Sequence, residues 1–122
     1  MDGFHGDLKE LAKDNDFYRQ VLYTGAHAQL VLMSLKPGEE IGDEVHEVDQ
    51  FFYAVDGRGR IEIGGQPVEF EKGDAVLVPA HSRHNVINTD DESLKLFTIY
   101  SPPQHAPGTL QEKKPAAEPV SA

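Results

Sequence analysis

Two periods run through the chain. Between His5 and Asp14 (HGDLKELAKD), Leu8 and Leu11 stand at helical spacing. A short N-terminal helix is expected there, with both leucines on one face. From Phe17 onward the period falls to two. The runs Phe17–Thr24, Ala28–Lys36, Glu44–Val55, Gly59–Ile63, Pro67–Phe70, Ala75–Val78, His84–Asn88 and Ser93–Tyr100 are rich in Val, Ile, Leu, Phe and Tyr and are expected to be strands. Turn residues separate them. Pro37-Gly38 ends one strand, and Lys72-Gly73-Asp74 makes a tight reversal. Asp56-Gly57 and Gly64-Gly65 predict hairpins, because such pairs tolerate positive φ. Short strands at this close spacing predict an all-β antiparallel sandwich or barrel rather than βαβ units. Phe52 and Ile99 are assigned to its core, and Tyr53, Phe97, Tyr100 and Met33 suit the core better than a pocket.

The 122 residues suffice for one ordinary domain. The organisation expected is a helix and first strand over residues 1–27, a barrel over 28–101 and a Pro-rich tail over 102–122. Five of the eight prolines fall in that tail, and from Gln111 it holds almost no large apolar residue. It cannot bury enough surface to offset its ordering entropy. It is expected to be flexible, or at most laid along the surface or a partner subunit. The start Met-Asp-Gly-Phe-His lacks a basic segment followed by an apolar run, and no stretch approaches the roughly 20 apolar residues of a membrane span. A cytoplasmic protein with no membrane partner is expected.

Charge and cysteine content narrow the chemistry. The formal net charge of -10 makes the chain a poor partner for nucleic acid. The absence of Cys excludes disulfides, thiolate metal sites and Cys nucleophiles, so any metal must take nitrogen and oxygen ligands. The acidity is uneven. Pro37–Asp56 carries Glu39, Glu40, Asp43, Glu44, Glu47, Asp49 and Asp56 with no Lys or Arg.

Within that acidic stretch, strand alternation puts Glu44, His46 and Gln50 on one face and Val45, Glu47 and Asp49 on the other. A carboxylate, an imidazole and an amide oxygen together suit hard or borderline divalent cations. In the second segment, Gly73 to Asn88, an apolar strand ends at Pro79, which lacks the N–H a ladder needs. A polar turn follows, and His84 opens a new strand that can bring one more imidazole to the set. His81 and Arg83 lie in the turn, where exposure is the plain expectation for Arg83; contact with an anionic ligand is the sharper one. Tyr100 and His105 are candidates for acid–base groups near a site opening. Asn85 and Asn88 suit turn and backbone hydrogen bonds. Gly57-Arg58-Gly59 lacks the third glycine and following helix of a phosphate loop.

The two segments resemble the paired motifs of the cupin superfamily. Gly38 or Gly42, His46 and Gly57 match the first motif, and Gly73, Pro79, His84 and Asn88 match the second. Glu44 stands where the family usually has its first His, Gln50 where it has Glu, and His81 where it has Gly. The run VPAHSRHNVINTDDESLKLFTIYSPP resembles small single-domain cupins of the conserved-barrel, RmlC-like type, some labelled sugar-isomerase-like. The resemblance covers about residues 28–101. It implies a double-stranded β-helix, or jelly-roll barrel, and a homodimer. It also implies a metal site of Glu44, His46, Gln50 and His84 holding a divalent Zn, Mn, Fe or Ni ion. A Gln ligand occurs in some small cupins, including pectin-degradation proteins acting on unsaturated uronates. The function implied is a metal-dependent enzyme, isomerase- or lyase-like, on a small oxygenated metabolite such as a sugar or sugar acid. A dioxygenase, a small-ligand-binding cupin without turnover and a metal-free relative are the alternatives. His81, Arg83 and Tyr100 are the expected substrate contacts.

Overall fold

The structure is a computed structural model and describes residues 2–116. Helix α1 is Leu8–Asp14. Asp7 caps it, its carboxylate accepting from the Glu10 amide at 3.2 Å. Its packed face is not the Leu8/Leu11 pair. Ala12 is fully buried and Leu8 packs beside it, whereas Leu11 is 38% exposed. Positions four apart stack along a short helix, so Leu8 and Ala12 face the sheet and Leu11 turns away.

Among the described residues nine strands follow: β1 (Arg19–Thr24), β2 (Gln29–Leu35), β3 (Asp49–Asp56), β4 (Arg58–Ile63), β5 (Gln66–Glu71), β6 (Ala75–Val78), β7 (His84–Asn88), β8 (Leu94–Ser101) and β9 (Leu110–Gln111). They form an antiparallel six-stranded sheet, β6-β3-β8-β2-β1-β9, and a three-stranded sheet, β5-β4-β7. The inward positions of both sheets meet in one core that includes Val31, Met33, Phe52, Ile61, Phe70, Val86 and Leu96. The all-β antiparallel architecture expected from the strand pattern is observed, in the jelly-roll form that the resemblance implies. Helix α1 lies on the outer face of the large sheet, against Leu22, Leu32, Tyr53, Val55 and Phe97.

Three expectations change. Asp56-Gly57 does not close a hairpin, because β3 and β4 belong to different sheets. The chain switches sheets there. Gly57 takes φ +90°, and a Cβ on it would lie 2.6 Å from the Ser93 carbonyl oxygen. Gly64-Gly65, by contrast, does join β4 to β5, with both residues at positive φ. Ile99 is not core: on β8, Leu94, Leu96, Thr98 and Tyr100 point inward, and Phe97 and Ile99 line the outer face.

The third change concerns Glu44–Val55, expected as one strand. Residues 39–44 instead run beside β7. Glu44 exchanges both backbone hydrogen bonds with His84 (2.8 and 2.9 Å), and the Ile41 amide donates to the Val86 carbonyl. The chain then crosses at 45–48 and joins the large sheet at Asp49.

Beyond β8 the described residues, to 116, lie along the surface. Strand β9 pairs with β1, and the Lys114 ammonium donates to the Glu40 carbonyl at 2.6 Å. Residues 117–122 of the expected tail lie outside the described residues.

Candidate metal centre

The sheet crossing builds the site. Glu44 stands beside His84 on the small-sheet side, His46 sits in the crossing, and Gln50 enters on β3 of the large sheet. Alternation survives the irregular backbone. Glu44, His46 and Gln50 are buried, while Asp43, Glu47 and Asp49 are exposed. Asn85 steadies the entry by accepting from the Gly42 amide at 2.8 Å and donating to the Glu40 carboxylate at 3.1 Å.

The ligand-type atoms of Glu44, His46 and His84 all lie within 4.8 Å of one another, and all three residues are buried. Glu44 Oε1 is 3.5 Å from His46 Nε2, and Gln50 Oε1 is 3.1 Å from His84 Nε2. Two ligands each about 2.1 Å from one cation lie about 3.0 Å apart at a right angle and about 3.4 Å apart at the tetrahedral angle. Both observed separations fall at those spacings.

Hydrogen bonding sets the donor atoms. Nδ1 of His84 donates to the Ser82 carbonyl at 3.0 Å. Burial holds the His84 pKa below its usual value, although the Ser82 carbonyl and the Glu44 carboxylate oppose the shift. The neutral ring therefore presents a lone pair at Nε2, facing the Gln50 oxygen. The Gln50 amide donates to the Thr98 hydroxyl at 3.0 Å, which turns Oε1 toward His84. Two lone pairs thus face each other in a buried space, an arrangement a cation relieves. His46 is 2% exposed, and neither of its ring nitrogens has a hydrogen-bond partner among the described residues. Leaving a buried polar atom unmatched costs about 1–3 kcal/mol. A cation bound at Nε2 removes that cost at one of the two nitrogens. The residues present therefore fit a divalent metal.

Packing fixes the ligand rings. Phe52 meets His84 edge-on at 5.9 Å, and Tyr100 meets His46 edge-on at 5.8 Å. The 79–82 turn ties the two sides together. The His81 amide donates to the His46 carbonyl at 2.8 Å, and Asp49 accepts from the Ala80 amide at 2.8 Å. His81 holds φ +72°, a left-handed conformation where the family pattern has Gly.

Of the expected substrate contacts, the structure brings only Tyr100 to the cluster. His81 is 67% exposed and pairs with Glu47, and Arg83 is 63% exposed and pairs with Asp43 at 3.0 Å. Both side chains lie outside the buried group. Thr98, which orients Gln50, and Gln29, which holds the chain near His105, went unmarked in the sequence. Both are polar residues at inward positions of strands, and that was the available signal. An apolar cleft of about 570 Å³, bounded by Phe4, Leu8, Tyr23, Leu30 and Ile99 among others, contains none of the cluster residues.

A jelly-roll barrel whose inner wall carries this Glu–His–Gln–His set defines the class of protein. The chain belongs to the cupin family, and the cupin domain matches residues 31–100. It is 43% identical over 115 residues to Uncharacterized protein YrkC of Bacillus subtilis (strain 168), covering 88% of this chain and 62% of YrkC, less than two thirds of that relative's length. It is 35% identical over 114 residues to Uncharacterized protein L612 of Acanthamoeba polyphaga mimivirus, covering 89% of this chain and 71% of L612. The crystal structure of BH2720 from Bacillus halodurans superposes with TM-score 0.89 at 41% identity, over 91% of this chain and 89% of that one.

Proposed function

We propose that Glu44, His46 and His84, with Gln50 as fourth ligand, hold one divalent transition metal, and that the centre acts on a small oxygenated metabolite such as a sugar or sugar acid. The observation that carries this reading is His46, fully buried with its nitrogens unmatched beside a carboxylate and a second imidazole. Nitrogen and oxygen donors with a single carboxylate suit Zn, Mn, Fe or Ni.

When bound, such an ion polarises a carbonyl or chelates an enol or hydroxy-acid. The residues supply the frame. Ser82 fixes the His84 tautomer, Thr98 fixes the Gln50 amide, and Phe52 and Tyr100 hold the imidazole planes. All four ligand side chains are buried in the barrel. The 3.3 Å contact between the Tyr100 hydroxyl and His105 Nε2 supports a role for the pair in holding or passing a proton. This chemistry suits isomerisation or elimination next to a carbonyl.

The same reading includes a cytoplasmic homodimer. On the outer face of the large sheet Phe51 is in register with both Leu77, itself 65% exposed, and Ile99. Light scattering that gives a monomer mass at micromolar concentration contradicts the dimer. For the activity, the test is a panel of uronates, keto-sugars and enols offered to the metal-loaded chain and to the same chain after chelation. Turnover that requires the metal supports the enzyme reading. Binding without turnover supports the binding-module alternative, and a reaction that consumes oxygen supports the dioxygenase.

A further inference from the structure

The family match runs from residue 31 to residue 100, yet two residues outside it shape the inner end of the barrel. Gln29 is fully buried, and its amide is spent on the returning chain. Oε1 accepts from the Gln104 and His105 amides at 3.1 and 3.0 Å, and Nε2 donates to the His105 carbonyl at 2.7 Å and the Thr24 hydroxyl at 2.9 Å. A buried amide with both ends satisfied is a rigid anchor. Its position follows from register, since Gln29 is the β2 partner of Tyr100.

The anchor seats the His105 ring edge-on against Tyr100, with centroids 5.1 Å apart and Nε2 3.3 Å from the Tyr100 hydroxyl. Tyr100 in turn is edge-on to His46 and is the β8 partner of Gln50 on β3. Tyr100 therefore touches both His46 and His105, and His105 lies near enough to feel the Glu44 carboxylate and His46. Burial, reinforced by the Arg19 charge and opposed by Glu44, holds His105 down at about 4, so its ring is neutral at neutral pH. A neutral imidazole hydrogen-bonded to a phenol through Nε2 keeps its other ring nitrogen, Nδ1, as an uncharged donor or acceptor. That suits a hydroxyl or carbonyl oxygen better than a fully charged group.

We infer that the Tyr100–His105 pair, seated by Gln29, is the ligand-recognition wall of the metal centre, fitted to small oxygen chelators that turn a hydroxyl or carbonyl oxygen toward it. The inference rests on the metal reading above. It makes recognition depend on segments that lie outside the shared cupin match. His105 touches the ligand, and Gln29 is a positioning residue.

The experiment uses the full chain reconstituted with zinc and acetohydroxamate, a bidentate oxygen chelator, as the probe. Calorimetry measures zinc binding and then probe binding for the wild type, His105→Phe and His105→Gln. The expected result is zinc affinity within about twofold of wild type in both variants. Acetohydroxamate binding is expected to weaken roughly tenfold in His105→Phe, the scale of one hydrogen bond, and to recover in part in His105→Gln. Long-range proton–nitrogen NMR of the wild type supplies a readout that needs no variant, with the His105 Nε2 resonance moving when the probe is added. Probe binding by His105→Phe equal to wild type, an unmoved resonance or a zinc-loaded wild type that does not bind the probe each overturns this inference and leaves the metal reading standing. Loss of zinc from His105→Phe also overturns it, by placing His105 among the groups that hold the metal. A wild type that takes up no zinc overturns the metal reading itself, and this inference with it.

Discussion

At the scale of single residues, the site is defined by which atoms lack a partner and which are fully used. Gln50 shows both cases, with its nitrogen on Thr98 and its oxygen left facing the Nε2 lone pair of His84. Gln50→Glu keeps the shape and lets Thr98 donate instead, but adds a second carboxylate beside Glu44. Metal binding is expected to tighten by about tenfold or more, and the metal-free chain to lose stability, because two buried carboxylates then repel. Chelator competition and urea unfolding check the two halves. His105 carries a pH prediction. Its pKa is lowered from 6.5 to about 4 by burial, so below 6.5 the unfolded chain takes up a proton that the folded chain refuses. Its stabilising contribution is complete above pH 6.5, declines as pH falls through about 4 and levels off below. His84 shifts in the same direction. Urea midpoints of the metal-free chain should fall across that window, and less steeply in His105→Phe. A slope unaltered by that substitution contradicts the assignment.

At the scale of elements, alternation was legible and continuity was not. The inward parity of Glu44, His46 and Gln50 followed from the period-two reading and survives in the burial pattern. The sheet switch at 45–48 did not show, because a chain crossing between two sheets keeps the same polar and apolar alternation as a straight strand. The same ambiguity hid the switch at Gly57, where Asp-Gly suggested a hairpin. Arg83 and His81 carried the right chemistry in the right turn, but Asp43 and Glu47 draw them outward, and exposed pairing partners have no linear signature. Close approach is equally invisible in sequence. A Cβ on Gly59 would lie 2.3 Å from the Ile87 carbonyl oxygen and 3.0 Å from Leu94 Cδ2. Gly59→Ala is therefore expected to cost about 1–3 kcal/mol through overpacking, read as a lower urea midpoint. An unchanged midpoint contradicts the packing between β4, β7 and β8.

At the scale of the whole molecule, two sheets, one core and an outer helix give the barrel, and the chain beyond Tyr100 completes it. The tail's composition gave no sign of strand β9, which pairs with β1. Its hold on the barrel comes from backbone pairing and from Gln29, neither of which needs apolar residues in the tail. The net charge of -10 is partly a local property, since the acidic stretch Pro37–Asp56 contains Glu44 and the crossing that carries His46. That field favours cation capture and disfavours free anions, so an acidic ligand is expected to bind the metal-loaded chain and not the stripped one. Calorimetry with one sugar acid in both states checks this, and equal affinity in the two contradicts it.

The central claim is that Glu44, His46, Gln50 and His84 hold one metal. The most direct measurement is elemental analysis of the chain purified without an affinity tag, alongside His46→Ala and His84→Ala prepared identically. The account predicts a stoichiometric divalent transition metal in the wild type and its loss from both variants, each still folded by circular dichroism. Native metal content in both variants contradicts it.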